Sequence, residues 1–307
     1  MTNRTSRTRP RILRGSQFAL LVAAAVVAAI GVFIGVRLVG EDDSSATDPS
    51  DAYGVSHVHG LGINPADDSL IVATHNGSFR IPADSDDAEL IGGSLQDTMG
   101  FTVVGPDQFL GSGHPDLAGR RAGQPALLGL IESTDGAATW SDISLSGQVD
   151  FHALAYAHDR IYGWDASSGR FMVSTDRTDW DTRSTINLFG FAVDPADADH
   201  LIATGPDGLL DSSDGGRTWV PADGPPVVAV SWEQSAGLWG VEADGTVHHR
   251  NASGWTRTGQ IPGEPQALLA TPDTLYAAAH DTDGLTGIFH STDDGASWEL
   301  RYRDRTP

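Results

Sequence analysis

From residue 140 onward, a tryptophan recurs along this 307-residue chain at nearly constant intervals. Five of the eight tryptophans form this series, namely Trp140, Trp180, Trp219, Trp255 and Trp298, and successive members lie 40, 39, 36 and 43 residues apart. Four of them end a similar phrase, which reads STDGAATW, STDRTDW, SSDGGRTW or STDDGASW. A unit of about 40 residues cannot bury its apolar face alone, so this spacing favours an array of small units that pack against one another.

Each repeat contains two short apolar runs of the kind that forms β-strands. The first runs include HVHGLGINP at 57–65, FHALAYAHD at 151–159 and VVAVSWEQ at 227–234, and a second run follows each about ten residues later. Six such pairs, without helical periodicity of useful length, predict six blades of about four strands each. We therefore predict an all-β fold, a six-bladed β-propeller over residues 55–307. Pairing of residues 53–56 with the last blade is one way in which the ring could close.

The N-terminal segment has a different composition from the rest. Residues 1–40 carry six arginines and no acid, and residues 18–36 contain neither a charge nor a proline. As a helix, that stretch is about 28 Å long, close to the thickness of the hydrocarbon core of a bilayer. The positive-inside rule then predicts a cytoplasmic Arg-rich tail (1–17), a single transmembrane helix (18–36), an acidic linker (37–54) and an extracellular or periplasmic propeller. A cleaved signal peptide is the alternative.

The remainder of the chain is strongly acidic. The whole sequence has 41 acids against 19 Lys+Arg, all of them arginine, for a net charge of −22. Removing the six N-terminal arginines leaves 13 cations against 41 acids, a net of −28. A surface of this charge repels phosphate, which excludes nucleic acid as a partner. The absence of cysteine excludes disulfides and thiolate metal sites.

The phrase S-x-D-x-G-x-[TS]-W is the Asp-box, and over roughly residues 55–303 the chain resembles the BNR/Asp-box repeat proteins of the sialidase-like propeller superfamily. This resemblance implies that each box lies on the turn between the third and fourth strands of a blade. We expect its aspartate to accept backbone N–H bonds, its glycine to supply a positive φ and its tryptophan to pack between blades. The residues with this structural role are Asp135, Asp176, Asp214, Asp293, Gly216, Gly295, Trp140, Trp180, Trp219 and Trp298. HVHGLGINP and ATHNG also resemble a bacterial group of membrane-anchored Asp-box proteins commonly labelled glycosyl hydrolases.

Six of the eleven histidines are predicted at one face of the propeller. In this fold, the residues that open the innermost strand and the loop between the second and third strands lie at the same face. His57, His59 and His152 open innermost strands, and Met99 has the equivalent place in blade 2. His75, His114 and His280 lie in the second-to-third-strand loops of blades 1, 2 and 6.

This pattern predicts a metal site. Two histidines in an H-x-H pair on a strand point to the same side, and imidazole with a nearby thioether suits copper, with zinc as a further candidate. The predicted metal ligands are His57, His59, His75, Met99, His114 and His152. Further candidates for binding a ligand at this face are His280, Asp116 and Asp165. The alternative is that these histidines pack between blades or bind water and backbone groups.

Two other functions remain open at this point. FRIP at 79–82 resembles the sialidase motif whose arginine grips a substrate carboxylate, but Arg80 is predicted on a third strand and no other arginine opens an innermost strand. A chance match is therefore favoured over a sialidase-like glycoside hydrolase with a glycan substrate. The third candidate is a scaffold or assembly factor that binds a protein partner. The leading hypothesis is a membrane-anchored propeller that binds a ligand, such as a copper ion, at its histidine-rich face.

Overall fold

The computed structural model describes residues 54–304, which form 24 strands and one short helix. The strands of blades 1 and 2 are β1 (Val58–Ile63), β2 (Leu70–Thr74), β3 (Gly77–Ile81), β4 (Glu89–Leu90), β5 (Asp97–Gly105), β6 (Gln108–His114), β7 (Leu130–Ser133) and β8 (Ser141–Ser144). Those of blades 3 and 4 are β9 (Phe151–Ala157), β10 (Arg160–Asp165), β11 (Arg170–Ser174), β12 (Asp181–Thr185), β13 (Gly190–Asp194), β14 (Asp197–Gly205), β15 (Gly208–Ser212) and β16 (Val220–Pro221). Those of blades 5 and 6 are β17 (Val227–Glu233), β18 (Gly237–Glu242), β19 (Thr246–Asn251), β20 (Gly254–Gln260), β21 (Glu264–Ala270), β22 (Leu275–His280), β23 (Thr286–Ser291) and β24 (Glu299–Arg303).

Each blade is a four-stranded antiparallel sheet whose strand order follows the sequence. The first strand of each blade is the innermost one, and the six inner strands contact one another in the order β1, β5, β9, β13, β17 and β21. Contact between β21 and β1 completes the ring. The predicted all-β, six-bladed β-propeller is therefore confirmed.

Among the described residues, the ring closes by packing and hydrogen bonds rather than by exchange of a strand. Residues 54–56 belong to no strand, and blade 6 takes all four of its strands from one continuous segment, so the suggested pairing with the last blade is not formed by residues 54–56. Residue 53 lies outside the described residues. Val55 is fully buried in the core between blades 6 and 1, together with Ala267 and Ile288. Hydrogen bonds span the same junction, since the Val58 N–H donates to Gln266 Oε1 at 2.9 Å and Arg301 Nη2 donates to the Pro82 carbonyl oxygen at 2.6 Å.

Second strands are buried on both faces, which explains why their sequences lack polar alternation. All five residues of β2 are buried. Because side chains alternate along a strand, Leu70 and Val72 enter the core shared with blade 6, whereas Ile71 and Ala73 enter the core shared with blade 2.

The four tryptophan phrases form the turns between the third and fourth strands of blades 2, 3, 4 and 6. In blade 4, Asp214 Oδ1 accepts the backbone N–H groups of Arg217 (3.0 Å) and Thr218 (2.8 Å). Gly216 has a φ of +86°, and a Cβ there would overlap the Phe171 ring of blade 3. Trp219 packs edge-on against the same ring at 5.4 Å between centroids. The turn therefore joins its own blade to the preceding one.

Replacement of Asp214 by alanine should lower the melting temperature. The turn would lose two backbone hydrogen bonds and the hydroxyl bonds from Ser212 and Thr218, a loss of about 1–2 kcal/mol after water replaces them. For a domain of this size we expect roughly 2–8 °C in thermal unfolding. Asp207→Ala, in an exposed turn of the same blade, is the control and should change little. An unchanged melting temperature in Asp214→Ala would show that the turn does not depend on this carboxylate.

The predicted N-terminal tail, membrane helix and most of the linker lie outside the described residues. Within residues 54–304, no helix is long and apolar enough to span a membrane. The one helix there, α1 (Leu117–Arg121), lies between β6 and β7, and the Asp116 carboxylate caps its first turn by accepting the Gly119 N–H at 2.7 Å.

Candidate metal centre

The inner strands of five blades contain a β-bulge close to their first residue. In blade 1, Val58 lies opposite Thr74 and Gly60 lies opposite Ala73, so His59 is the extra residue. The residues at the equivalent positions are Met99, His152, Val228 and Gln266. A bulge turns its side chain out of the regular pleat, which is how these residues reach the mouth of the central channel or its surroundings.

A central channel of about 650 Å³ runs between the six inner strands. His59, His152 and Gln266 line it, and so do Phe189 and Val228 of blades 4 and 5. The turns between the second and third strands lie at the same end of the propeller as these residues. We call this end the His face.

The first triad consists of His59, His75 and Asp97, at the junction of blades 1 and 2. Asp97 is the first residue of β5, and its Oδ2 lies 2.9 Å from His75 Nδ1 in the turn after β2. Its Oδ1 lies 3.4 Å from His59 Nε2, which is too long for a strong hydrogen bond. His59 Nε2 and Asp97 Oδ1 are both shielded from solvent and have no hydrogen-bond partner among the described residues. One ligand atom from each residue of the triad can lie within 4.8 Å of the others.

The first triad is electrostatically coupled. Burial would raise the pKa of Asp97, but its interactions with His59 and His75 outweigh burial and hold this pKa well below its usual range. The hydrogen bond to Asp97 raises the pKa of His75, although burial partly opposes the effect. The Asp97 carboxylate therefore stays charged, and it stabilises the protonated form of the exposed His75 relative to a histidine in water.

His57 and His280 lie beside the first triad. The His57 ring is 4.8 Å from that of His59 and 6.0 Å from that of His280. Burial, followed by repulsion from His59 and His280, lowers the pKa of His57 to about 4. The Gln266 side-chain amide lies 2.6 Å from His280 Nε2. His57 is therefore neutral at ordinary pH, and both rings border the triad without belonging to it.

The second triad consists of His114, Asp150 and His152, at the junction of blades 2 and 3. Asp150 Oδ2 lies 2.9 Å from His152 Nε2 and 3.5 Å from His114 Nε2. His114 Nδ1 lies 2.8 Å from the Ala126 carbonyl oxygen, which can only accept, so Nδ1 carries the hydrogen. In neutral His114 the lone pair is then on Nε2, which points at the carboxylate.

Asp165 supports the second triad from behind. Its Oδ1 accepts the backbone N–H of Asp150 at 3.0 Å and the hydroxyl of Ser167 at 2.7 Å. Arg170 Nη2 lies 3.0 Å from the other oxygen. Asp165 is completely buried and has no free direction toward a ligand, so it acts here by positioning Asp150.

The structure divides the predicted histidines between two places instead of gathering them around one point. Blade 2 separates the triads and contributes to both, since Asp97 and His114 lie directly opposite each other on β5 and β6. Met99 occupies the bulge position between them in the same blade. Two predicted ligand-face alternatives, Asp116 and Asp165, have structural partners within the protein, as a helix cap and as a support for Asp150.

Sequence reasoning missed the carboxylate of each triad. Asp97 precedes the bulge residue Met99 by two positions, and Asp150 precedes His152 by two. His57 has the same offset from His59. If the repeats are aligned on their bulge residues, D-T-M (97–99), D-F-H (150–152) and H-V-H (57–59) fall in the same columns. This alignment would have identified both aspartates.

No arginine lines the channel among the residues that the structure describes. Arg80, from the FRIP segment, lies on the third strand β3, and its Nη1 is 3.6 Å from Asp67 Oδ2. The arginine cluster that a sialidase-like reaction needs is therefore not formed within residues 54–304.

Comparisons with known proteins define the class of fold. No family model matches the sequence, and no curated protein matches it. The similar solved structures include a GH74 xyloglucanase from Xanthomonas campestris, with 17% identity and a TM-score of 0.54, covering 82% of this chain and 46% of the xyloglucanase. The chain thus spans less than half of that enzyme, and only 40% of an ancestral GH74 enzyme with which it shares 15% identity.

Two propellers of more similar length also match. One is in a nidogen/laminin complex, with 14% identity and a TM-score of 0.58, covering 76% of this chain and 92% of the other. The second is YCF48 bound to a D1 peptide, with 12% identity and a TM-score of 0.51, covering 84% and 86%. At these identities the similarity shows the propeller fold alone, and membership of the BNR/Asp-box repeat proteins stays a prediction.

Proposed function

We propose that this protein binds two transition-metal ions at its His face, one in each triad. The observation that supports this most strongly is the pair of His59 Nε2 and Asp97 Oδ1, which are buried, lack hydrogen-bond partners and face each other at 3.4 Å. A buried polar pair of this kind is costly unless something satisfies both atoms. A cation between them does so.

The distances within the triads suit a metal. Ligand atoms bonded at about 2.0–2.1 Å to a tetrahedral ion lie roughly 3.3 Å apart. The nearest ligand atoms of His59 and Asp97 are 3.4 Å apart, and those of His114 and Asp150 are 3.5 Å apart. The other histidine of each triad lies 2.9 Å from the same aspartate. Small shifts of the side chains would therefore complete the coordination.

The second triad also has the supporting contacts that metal-binding histidines usually have. The N–H of His114 that would not face the ion is bonded to the Ala126 carbonyl, which fixes the ring and leaves Nε2 available. Asp150 Oδ1 is buried without a hydrogen-bond partner, as Asp97 Oδ1 is in the first triad. Each triad thus contains one buried carboxylate oxygen without a partner, although in the second triad both histidines lie nearest the other oxygen, Oδ2.

The donor set favours zinc or copper. Two imidazoles and one carboxylate, without thiolate, suit zinc and Cu(II), and iron(II) is a further candidate for this combination. Met99 lies at the bulge between the triads, and its thioether would favour Cu(I) over zinc. Met99→Leu should therefore weaken Cu(I) binding and leave Zn(II) binding unchanged.

Direct metal analysis tests the proposed function. The full-length protein, purified in a non-ionic detergent and loaded with Zn(II) or Cu(II), should retain two ions per chain in the presence of a large excess of Ca(II). Calcium prefers oxygen ligands and would displace ions held only by the acidic surface. Complete displacement by calcium would contradict the proposal.

We place the propeller outside the cytoplasm, anchored by the segment at residues 18–36. Protease added to intact cells should then remove an epitope tag at the C-terminus and leave a tag at the N-terminus protected. Permeabilised cells, as the control, should lose both tags. Release of the domain into the medium, beginning near residues 40–50, would instead show that this segment is a cleaved signal.

A further inference from the structure

The mouth of the channel at the His face has two chemically different halves. On one side are His59, His152 and Gln266, which are polar and adjoin the triads. On the other side are Phe189 and Val228, contributed by blades 4 and 5. Phe189 is 54% exposed, an unusual state for a large apolar side chain within a cavity lining. A molecule that fills this mouth therefore meets metal-binding groups on one side and an apolar surface on the other.

The wall below the mouth exposes polar backbone groups. Each inner strand pairs with only one neighbour, because it is the terminal strand of its sheet. The N–H and C=O groups of its other edge face the channel, although two of these N–H groups, those of Tyr156 and Ala270, donate to a hydroxyl of the neighbouring inner strand. Such a wall binds water or a hydrogen-bonding molecule better than it binds a long lipid chain, so the apolar part of a ligand belongs at the mouth.

The triads would leave coordination positions open. Three protein ligands per ion are fewer than a tetrahedral ion needs, and an open position is the usual arrangement where a metal also binds a small molecule. His59 and His152, one from each triad, also line the channel, so each ion would be adjacent to it. A ligand within the mouth is therefore within reach of the metal centres.

Metal also reverses the charge at the mouth. Without metal, Asp97 and Asp150 give the two triads a formal charge of −2, which repels anions. A divalent ion in each triad changes that charge to +2 when the histidines are neutral. Anion binding at the His face should therefore depend strongly on the metal.

We propose that the metal-loaded His face binds a small aromatic carboxylate, with the carboxylate toward the ions and the ring against Phe189 and Val228. This proposal rests on the proposed metal binding and adds the class of ligand. The carboxylate supplies an anionic oxygen donor for the ions, and the ring supplies an apolar surface for Phe189 and Val228. A carboxylate without a ring would leave the apolar side of the mouth without a partner, and a ring without a carboxylate would supply no donor to the ions.

The experiment uses benzoate as the probe, with acetate and benzamide as matched controls that lack the ring or the charge. The full-length protein, in a non-ionic detergent and loaded with zinc, is titrated with each compound and binding is followed by ligand-observed NMR. Benzoate should bind at least tenfold more tightly than either control, and at least tenfold more tightly than to metal-free protein. Phe189→Ala should lower the preference for benzoate over acetate at least threefold while two zinc ions remain bound. Leu117→Ala, an exposed apolar residue on α1, should have no effect.

The outcomes separate the two proposals. If zinc is bound but benzoate binds equally well without it, or if Phe189→Ala changes nothing, the ligand assignment is wrong and the metal sites remain supported. If metal analysis finds no bound zinc, the proposed function fails, and the ligand assignment fails with it.

Discussion

Replacing Asp97 by asparagine should reduce the number of tightly bound transition-metal ions from two to one. The amide is nearly the same size as the carboxylate but lacks its charge, so the first triad would lose its only anionic ligand. We expect the affinity at that site to fall roughly 100-fold or more, since even the loss of a supporting contact to a metal ligand weakens binding tenfold to 100-fold. Asp150→Asn should remove the other ion in the same way, and the double variant should bind neither. Calorimetric titration with Zn(II) measures both stoichiometry and affinity.

Asp207→Asn is the matched control, because it makes the same change at an exposed turn of blade 4. It should retain both ions at the affinity of the original protein. If Asp97→Asn and Asp150→Asn also retain two ions, the metal is bound elsewhere. Thermal unfolding of the metal-free variants would detect a loss of folding that could mimic a loss of metal.

The affinity of the first triad should decrease as the pH falls. A metal ion needs neutral His75, and its hydrogen bond to Asp97 raises the pKa of this histidine above the ordinary value of 6.5. Protons therefore begin to compete above pH 6.5, and this one proton should lower the affinity about tenfold per pH unit once the pH lies below that pKa. His57, with a pKa of about 4, stays neutral through this range and does not add to the competition.

Zn(II) titrations between pH 8 and pH 5.5 would show this dependence. A flat profile would indicate that carboxylates alone hold the metal, because carboxylates ordinarily titrate well below this range. In the His75→Ala variant the affinity at pH 8 should be lower, and the part of the pH dependence that arises from His75 should disappear.

The repeat made the architecture predictable. The recurrence of tryptophan and of paired apolar runs fixes the number and order of blades, because each blade repeats the same packing against its neighbours. Closure of the ring could not be inferred in this way. The packing of Val55 and the bond from Val58 to Gln266 depend on contacts between the two ends of the domain, which no local pattern records.

The site was predictable only in part. Blade topology correctly indicates that His59, His75, His114 and His152 lie toward one face, but it does not show that blade 2 divides them into two pairs. That division depends on where the β-bulges turn individual side chains. Asp97 and Asp150 were missed because the chain has 41 acids and most acids are simply solvated. Asp97 and Asp150 differ from most other acids in the sequence only because each lies two residues before a bulge residue.

Anomalous X-ray scattering at the zinc edge, from crystals of the zinc-loaded protein, tests the central claim most directly. Our account predicts two strong peaks per chain. One should lie at bonding distance from His59 Nε2, His75 Nδ1 and Asp97, and the second at bonding distance from His114 Nε2, His152 Nε2 and Asp150. Peaks confined to exposed acidic side chains, with none at either triad, would contradict the account.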